Sequence, residues 1–138
     1  MPIDCNLGSD GILTMTYRGE FTSSEFDEAL GCAVRELERA RAGSRKLGLI
    51  SIAAADTSMN SKMRSRSANW LKENAELMRA ACVGHAVVVS NPIQRGVLTA
   101  ILWLGDYAIP IRPSATDGDA RTWLRRRLQT SDALHAHR

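Results

Sequence analysis

The run from Val83 to Leu104, VGHAVVVSNPIQRGVLTAILWL, constrains the fold of this chain more than any other stretch. Residues 83–90 are apolar and rich in β-branched valine, the composition of a strand buried in a sheet. The strand leads straight into a helix over residues 92–104. Asn91 is placed to cap that helix, Pro92 suits its first position, and Gln94 stands three residues after Asn91, where a capping-box partner belongs. A buried strand feeding a capped amphipathic helix is half of a βαβ unit, so the segment points to an α/β protein.

The remaining segments continue the pattern. Residues 3–7 and 11–18 read as two strands joined by the turn Gly8-Ser-Asp-Gly11. Ile12, Thr14 and Thr16 alternate with Leu13, Met15 and Tyr17, the period of a half-buried strand. Thr22 with Glu25 forms a capping box, and Phe21 with Phe26 its hydrophobic staple. The helix they open carries Phe26, Leu30, Ala33, Val34 and Leu37 on one face and stops at Gly43. Residues 46–52 are apolar enough for a central strand. One long helix is expected over 61–81, with Met63, Trp70, Leu71, Leu77 and Met78 on its stripe; Ser67 and Asn74 are polar exceptions on it. A short fifth strand falls between Tyr107 and Pro113, held to a sheet edge by its prolines. Thr116, with Asp119 three residues later, starts a last helix bearing Ala120, Trp123, Leu124 and Leu128. The expected architecture is thus a mixed, mostly parallel five-stranded sheet with four helices, in the order β-β-α-β-α-β-α-β-α. A single domain over residues 1–129 is expected, with 130–138 a disordered tail.

Length and composition agree. The chain has 138 residues, 44% hydrophobic and 24% charged, which suits one soluble globular domain. No apolar run approaches the roughly 20 residues that span a bilayer, and the start lacks a secretory pattern, so the expected location is cytoplasmic. Cys5, Cys32 and Cys82 show neither metal-ligand spacing nor a disulfide framework. Cys32 and Cys82 fall on apolar helix stripes, as small buried hydrophobes do. The net charge is +3, with the excess at Arg45 to Arg66 and at Arg121 to Arg127. With so few aromatics among these cations, a solvated basic face is expected and nucleic-acid binding is not. His85, His135 and His137 assemble with no serine, cysteine or carboxylate into a nucleophilic set, and no metal or cofactor site is expected.

The Thr22-to-Leu30 helix opening, the Arg66…Trp70-Leu71…Asn74 segment, the strand Ala86-Val-Val-Val89, and Asn91-Pro92…Arg95-Gly96…Ala100…Trp103 together resemble the STAS-like, SpoIIAA-like family of anti-sigma-factor-antagonist domains. The closing Ala120…Trp123-Leu124 extends the likeness, which covers roughly residues 10–128. The resemblance implies a bacterial, non-enzymatic regulatory or scaffolding module that binds a protein partner. That partner would be a kinase, an anti-sigma-like regulator or a second copy. In such domains an Asp-Ser-Ser/Thr-Gly-Leu motif after the central strand carries a phosphorylated hydroxyl. Here the place reads Asp56-Thr57-Ser58-Met59-Asn60: the acid and hydroxyl are kept in kind, whereas the Gly-Leu pair is not. Thr57 and Ser58 are therefore the candidate phosphorylation sites, and the alternative is that Asp56 to Ser61 simply caps the following helix.

Asp56, Met59, Lys62, Arg64, Arg66 and Arg95 complete the candidate partner-binding surface. Lys62, Arg64 and Arg66 crowd a helix start, where backbone N–H groups already favour an anion, and a phosphate there would gain charge-assisted hydrogen bonds. The competing reading is a solvated helix face. For Arg95 the competing reading is a structural ion pair with Asp106 or Glu73. A second functional class stays open: a small hydrophobic-ligand or lipid carrier, with a cavity between the sheet and the helices bearing Trp70 and Trp103.

Overall fold

The computed structural model describes residues 3–54, 61–103 and 107–136. Strands β1 (Ile3–Leu7) and β2 (Ile12–Tyr17) form the opening hairpin. They are followed by α1 (Ser23–Ala42), β3 (Leu47–Ala53), α2 (Ser61–Glu73), α3 (Ala75–Ala81), β4 (Cys82–Val88), α4 (Pro92–Trp103), β5 (Ile111–Ser114) and α5 (Asp117–Ala136). β1 pairs antiparallel with β2; β2, β3, β4 and β5 then lie parallel, side by side in chain order. The expected α/β class and five-stranded mixed sheet are present, with five helices where four were expected.

The extra helix comes from a break in the stretch 61–81. Asn74 leaves helical geometry at φ −108°, ψ 20°. Its Nδ2 donates to the Trp70 carbonyl at 2.9 Å, the kind of local bond by which asparagine competes with a helix ladder. A second difference concerns Cys82, which begins β4 instead of ending a helix. At the other end of the chain, α5 continues past Gln129 through residues 130–136.

Strands in chain order with right-handed crossovers place α1, α2–α3 and α4 on one face of the sheet. α5 follows the last strand and folds over the opposite face. Two cores result. In the first, Leu13, Met15, Tyr17, Leu47 and Leu49 meet Phe26, Leu30, Leu37, Met63, Trp70 and Met78 from α1, α2 and α3. In the second, Ile12, Ile50, Val83, Ala86 and Val88 meet Ala120 and Leu124 of α5. α5 sits close because glycines lie beneath it: a Cβ on Gly84 would come within 2.9 Å of the Trp123 ring, and one on Gly48 within 3.1 Å of Leu124. β5 lies at the sheet edge, the position in which Pro113 costs no ladder bond on its open side.

Thr22, Asn91 and Thr116 cap as read from the sequence, although of the Asn91–Gln94 pair only the Asn91 half is formed among the described residues. Glu25 N–H donates to Thr22 Oγ1 at 3.1 Å, and Thr22 N–H to Glu25 Oε1 at 3.0 Å. Phe21 and Phe26 rings sit 5.8 Å apart between centroids. Asn91 Oδ1 accepts from Ile93 N–H at 2.9 Å, and Thr116 Oγ1 from Asp119 N–H at 3.1 Å. Thr22→Ala is expected to lower stability by about 1 kcal/mol, read as a shift in urea midpoint at constant slope. An unchanged midpoint would mean the cap adds nothing to α1. Among the described residues, no helix is long and apolar enough to cross a membrane.

Candidate basic cleft and buried polar row

Asp56, Thr57, Ser58 and Met59 lie outside the described residues, as does Asp106. Lys62 and Arg64 are exposed in the opening turns of α2. Arg66 bends back to α1: its Nε donates to Asp27 Oδ1 at 2.9 Å, and its Nη1 lies 3.5 Å from Glu73. Arg95 turns inward too, Nη1 donating to the Val89 carbonyl at 2.9 Å just past the end of β4. Two of the four expected partner-binding cations therefore hold elements of the fold together. Arg95 does so through carbonyls, where a carboxylate partner was expected.

A different set of cations gathers on the α5 side. Lys46 precedes β3, Arg79 lies on α3, and Arg126 and Arg127 stand one turn beyond Trp123 on α5. Together they line a cleft of about 550 Å³ at the edge where β3, β4 and β5 begin. A second cleft of about 400 Å³ shares Trp123 and Arg126 and adds Arg95 and Arg112, with Asp119 among its residues.

Trp123 is the floor of this surface, lying over the bare backbone of Gly84. The Arg112 and Arg127 guanidinium carbons stand 5.9 Å and 5.5 Å from its ring centroid, within cation–π range. Arg127 Nε also donates to the Val83 carbonyl at 2.6 Å, which fixes its side chain against β4.

Some arginines of the surface pair with carboxylates: Arg18 with Asp4, Arg39 with Glu36, Arg121 with Asp117, Arg125 with Asp10. Among the described residues, no carboxylate pairs with Lys46, Arg79, Arg126 or Arg127, and no acidic side chain lines the larger cleft. Neighbouring like charges repel even in water, so such a cluster favours an incoming anion.

On the opposite face a row of polar groups crosses three neighbouring strands. Ser51 Oγ lies 2.8 Å from His85 Nε2, and Tyr17 bonds to Ser51 from the other side. Burial pushes the Tyr17 phenol up to about 12 and lowers His85 to about 4. The imidazole is thus neutral at ordinary pH. Among the described residues, His85 Nδ1 is buried without a hydrogen-bond partner. A proton on Nε2, donated to Ser51, leaves Nδ1 a bare lone pair and avoids a stranded N–H. A hydroxyl and an imidazole at this distance are the two members of a nucleophile–base pair, yet an Nε2 that donates to Ser51 cannot take its proton. The described residues place no carboxylate on Nδ1 to turn the ring to the other tautomer.

The sequence reading missed both features as sites. It registered the charge at Arg121 to Arg127 and read it as solvated. The spacing of Trp123, Arg126 and Arg127, at i, i+3 and i+4 on one helix face, was the available signal. Ser51 and His85 are far apart in the chain, and their meeting depends on the β3–β4 register. No protein-family model, curated protein or solved structure matches this chain.

Proposed function

We propose that this chain is a non-enzymatic regulatory or scaffolding module that binds a protein partner, and that the partner offers an acidic segment to the cleft around Trp123. The observation that carries the reading is the gathering of Lys46, Arg79, Arg126 and Arg127 around an aromatic ring with no acidic side chain among the described residues that line the cleft. The charged lining suits a charged partner better than the hydrophobic cargo of a carrier domain. Trp70, which a carrier would need at a cavity wall, is 5% exposed within the first core. The STAS-like resemblance belongs to the same proposal. So does control by phosphorylation at Thr57 or Ser58, which precede the exposed Lys62 and Arg64 by a few residues in the sequence.

The test is fluorescence anisotropy with a labelled glutamate-rich peptide. Wild-type protein is expected to bind it, weakening as salt rises. Lys46→Glu with Arg126→Glu, neither of which makes an ion pair among the described residues, is expected to weaken binding at least tenfold, about 1.4 kcal/mol, without altering thermal unfolding. Equal binding by the wild type and the charge-reversed variant would discard the cleft. Tighter binding of a duplex nucleic acid than of the peptide would discard the protein partner.

A further inference from the structure

Cys5 on edge strand β1 and Cys32 in the middle of α1 bring their Sγ atoms to 2.6 Å of each other. A disulfide bond is about 2.05 Å long, so closing one here requires well under 1 Å of movement. Both residues are half-buried. They line a cleft of about 300 Å³ with Asp4, Glu28 and Arg35, which opens the pair to small molecules. The third thiol is out of reach: Cys82 is 3% exposed, and its Sγ donates to the Gly84 carbonyl at 3.3 Å. The pair is therefore a modification site insulated from reshuffling, distinct from the basic cleft on the other face.

We infer that Cys5 and Cys32 form a reversible intramolecular disulfide, closed by exchange with a low-molecular-weight disulfide of the oxidised-glutathione class. The Cys32 thiolate attacks one sulfur of RSSR; that S–S bond breaks, and RS⁻ leaves and takes up the proton Cys32 released. Cys5 then loses its proton and attacks the Cys32 sulfur of the mixed disulfide, expelling a second RS⁻, which is protonated in turn. Two protein thiols are oxidised and one RSSR is reduced to two RSH.

The order of attack follows from the surroundings. Desolvation, then the contact with Cys32, holds the Cys5 thiol up at about 12, so Cys5 is the resolving partner. Capping Cys32 as a mixed disulfide removes the Cys32 part of that effect and eases release of the Cys5 proton. The product ties the outer strand of the opening hairpin to α1, closing a loop from residue 5 to residue 32. Loop closure of that length shifts the thermal midpoint by about 10 °C in a domain of this size.

The experiment incubates the folded full chain with oxidised glutathione, alkylates it in denaturant and measures intact mass. One alkyl adduct against three on the reduced control, a mass two hydrogens below the reduced chain before alkylation, and a non-reducing digest linking the Cys5 and Cys32 peptides are expected, with the rise in thermal midpoint. Cys5→Ser is expected to stop at a glutathione adduct on Cys32 with no such rise, and Cys32→Ser to form no internal link. Three alkylated thiols after oxidation, a persistent mixed adduct on the wild type, or reductant-sensitive dimers would each overturn the inference.

Discussion

Leu124→Ala is expected to destabilise the fold by about 3–5 kcal/mol, near the top of the range for a leucine cut back to alanine in a core. The reason lies in how α5 is seated. Leu124 is 0% exposed and, with Ala120, supplies the fully buried helical part of the second core, while Trp123 and Leu128 flank it only partly buried. Its side chain lies against Gly48, where an added Cβ would stand 3.1 Å from it. Gly48 itself has no side chain with which to fill the space a shorter residue leaves, so the cavity persists against its bare backbone. The first core, shared by α1, α2 and α3, has more neighbours to absorb such a change. Urea unfolding checks this: the midpoint should fall sharply at constant slope, and Leu128→Ala should cost clearly less. The same substitution loosens the helix that carries Trp123, Arg126 and Arg127, so binding of the acidic peptide should weaken in parallel. A loss of under about 1 kcal/mol would mean that α5 is held by its flanks instead of by this one contact.

What could be read from the chain alone was mostly local. The Thr22–Glu25 capping box, the Asn91 cap and the alternation in residues 12–17 are set by neighbours within a few residues, and each appears in the structure as read. The β-β-α-β order then narrows the sheet to a handful of arrangements, since parallel neighbours need right-handed crossovers; that the strands lie side by side in chain order is a tertiary outcome. Misreadings occurred where local signals competed. The apolar stripe from Met63 to Met78 runs through Asn74 without a change of period, so nothing but the amide's own bond to Trp70 marks the break between α2 and α3. Cys82 follows three helix-forming residues and joins β4 because Leu47 is its partner across the sheet, which is a tertiary fact. The candidate site divides the same way. The cations at 121–127 were visible as charge, yet their assembly with Lys46, Arg79 and Arg112 needs residues from β5, α3 and the approach to β3. The Cys5–Cys32 approach likewise depends on α1 lying across β1, and no spacing rule joins those positions.

Lowering the pH from 6.5 to 4 is expected to remove up to about 3 kcal/mol of stability through one residue, His85. The imidazole is half-buried as a residue, yet its Nδ1 is sealed from solvent, and burial holds the folded form to about 4 against 6.5 when free. Between those values the unfolded chain binds a proton that the folded chain refuses, so stability rises with pH across the window. The contribution is complete above pH 6.5, falls by at most about 1.4 kcal/mol per unit as the solution is acidified, and levels off below 4, where both forms are charged. Ser51 on the adjoining β3 and Tyr17 on β2 beyond it are neutral in this range and offer no carboxylate to offset the charge. Surface carboxylates titrate toward the lower end of the window as well, so the informative quantity is a difference. Urea midpoints of wild type and His85→Gln should converge as the pH falls from 7 to 4, because glutamine keeps a polar partner for Ser51 and takes up no proton. Parallel pH profiles for the two proteins would show that His85 is protonated in the fold as readily as in the free chain. In that case the Tyr17–Ser51–His85 row is open to water, and its lone imidazole nitrogen has a partner after all.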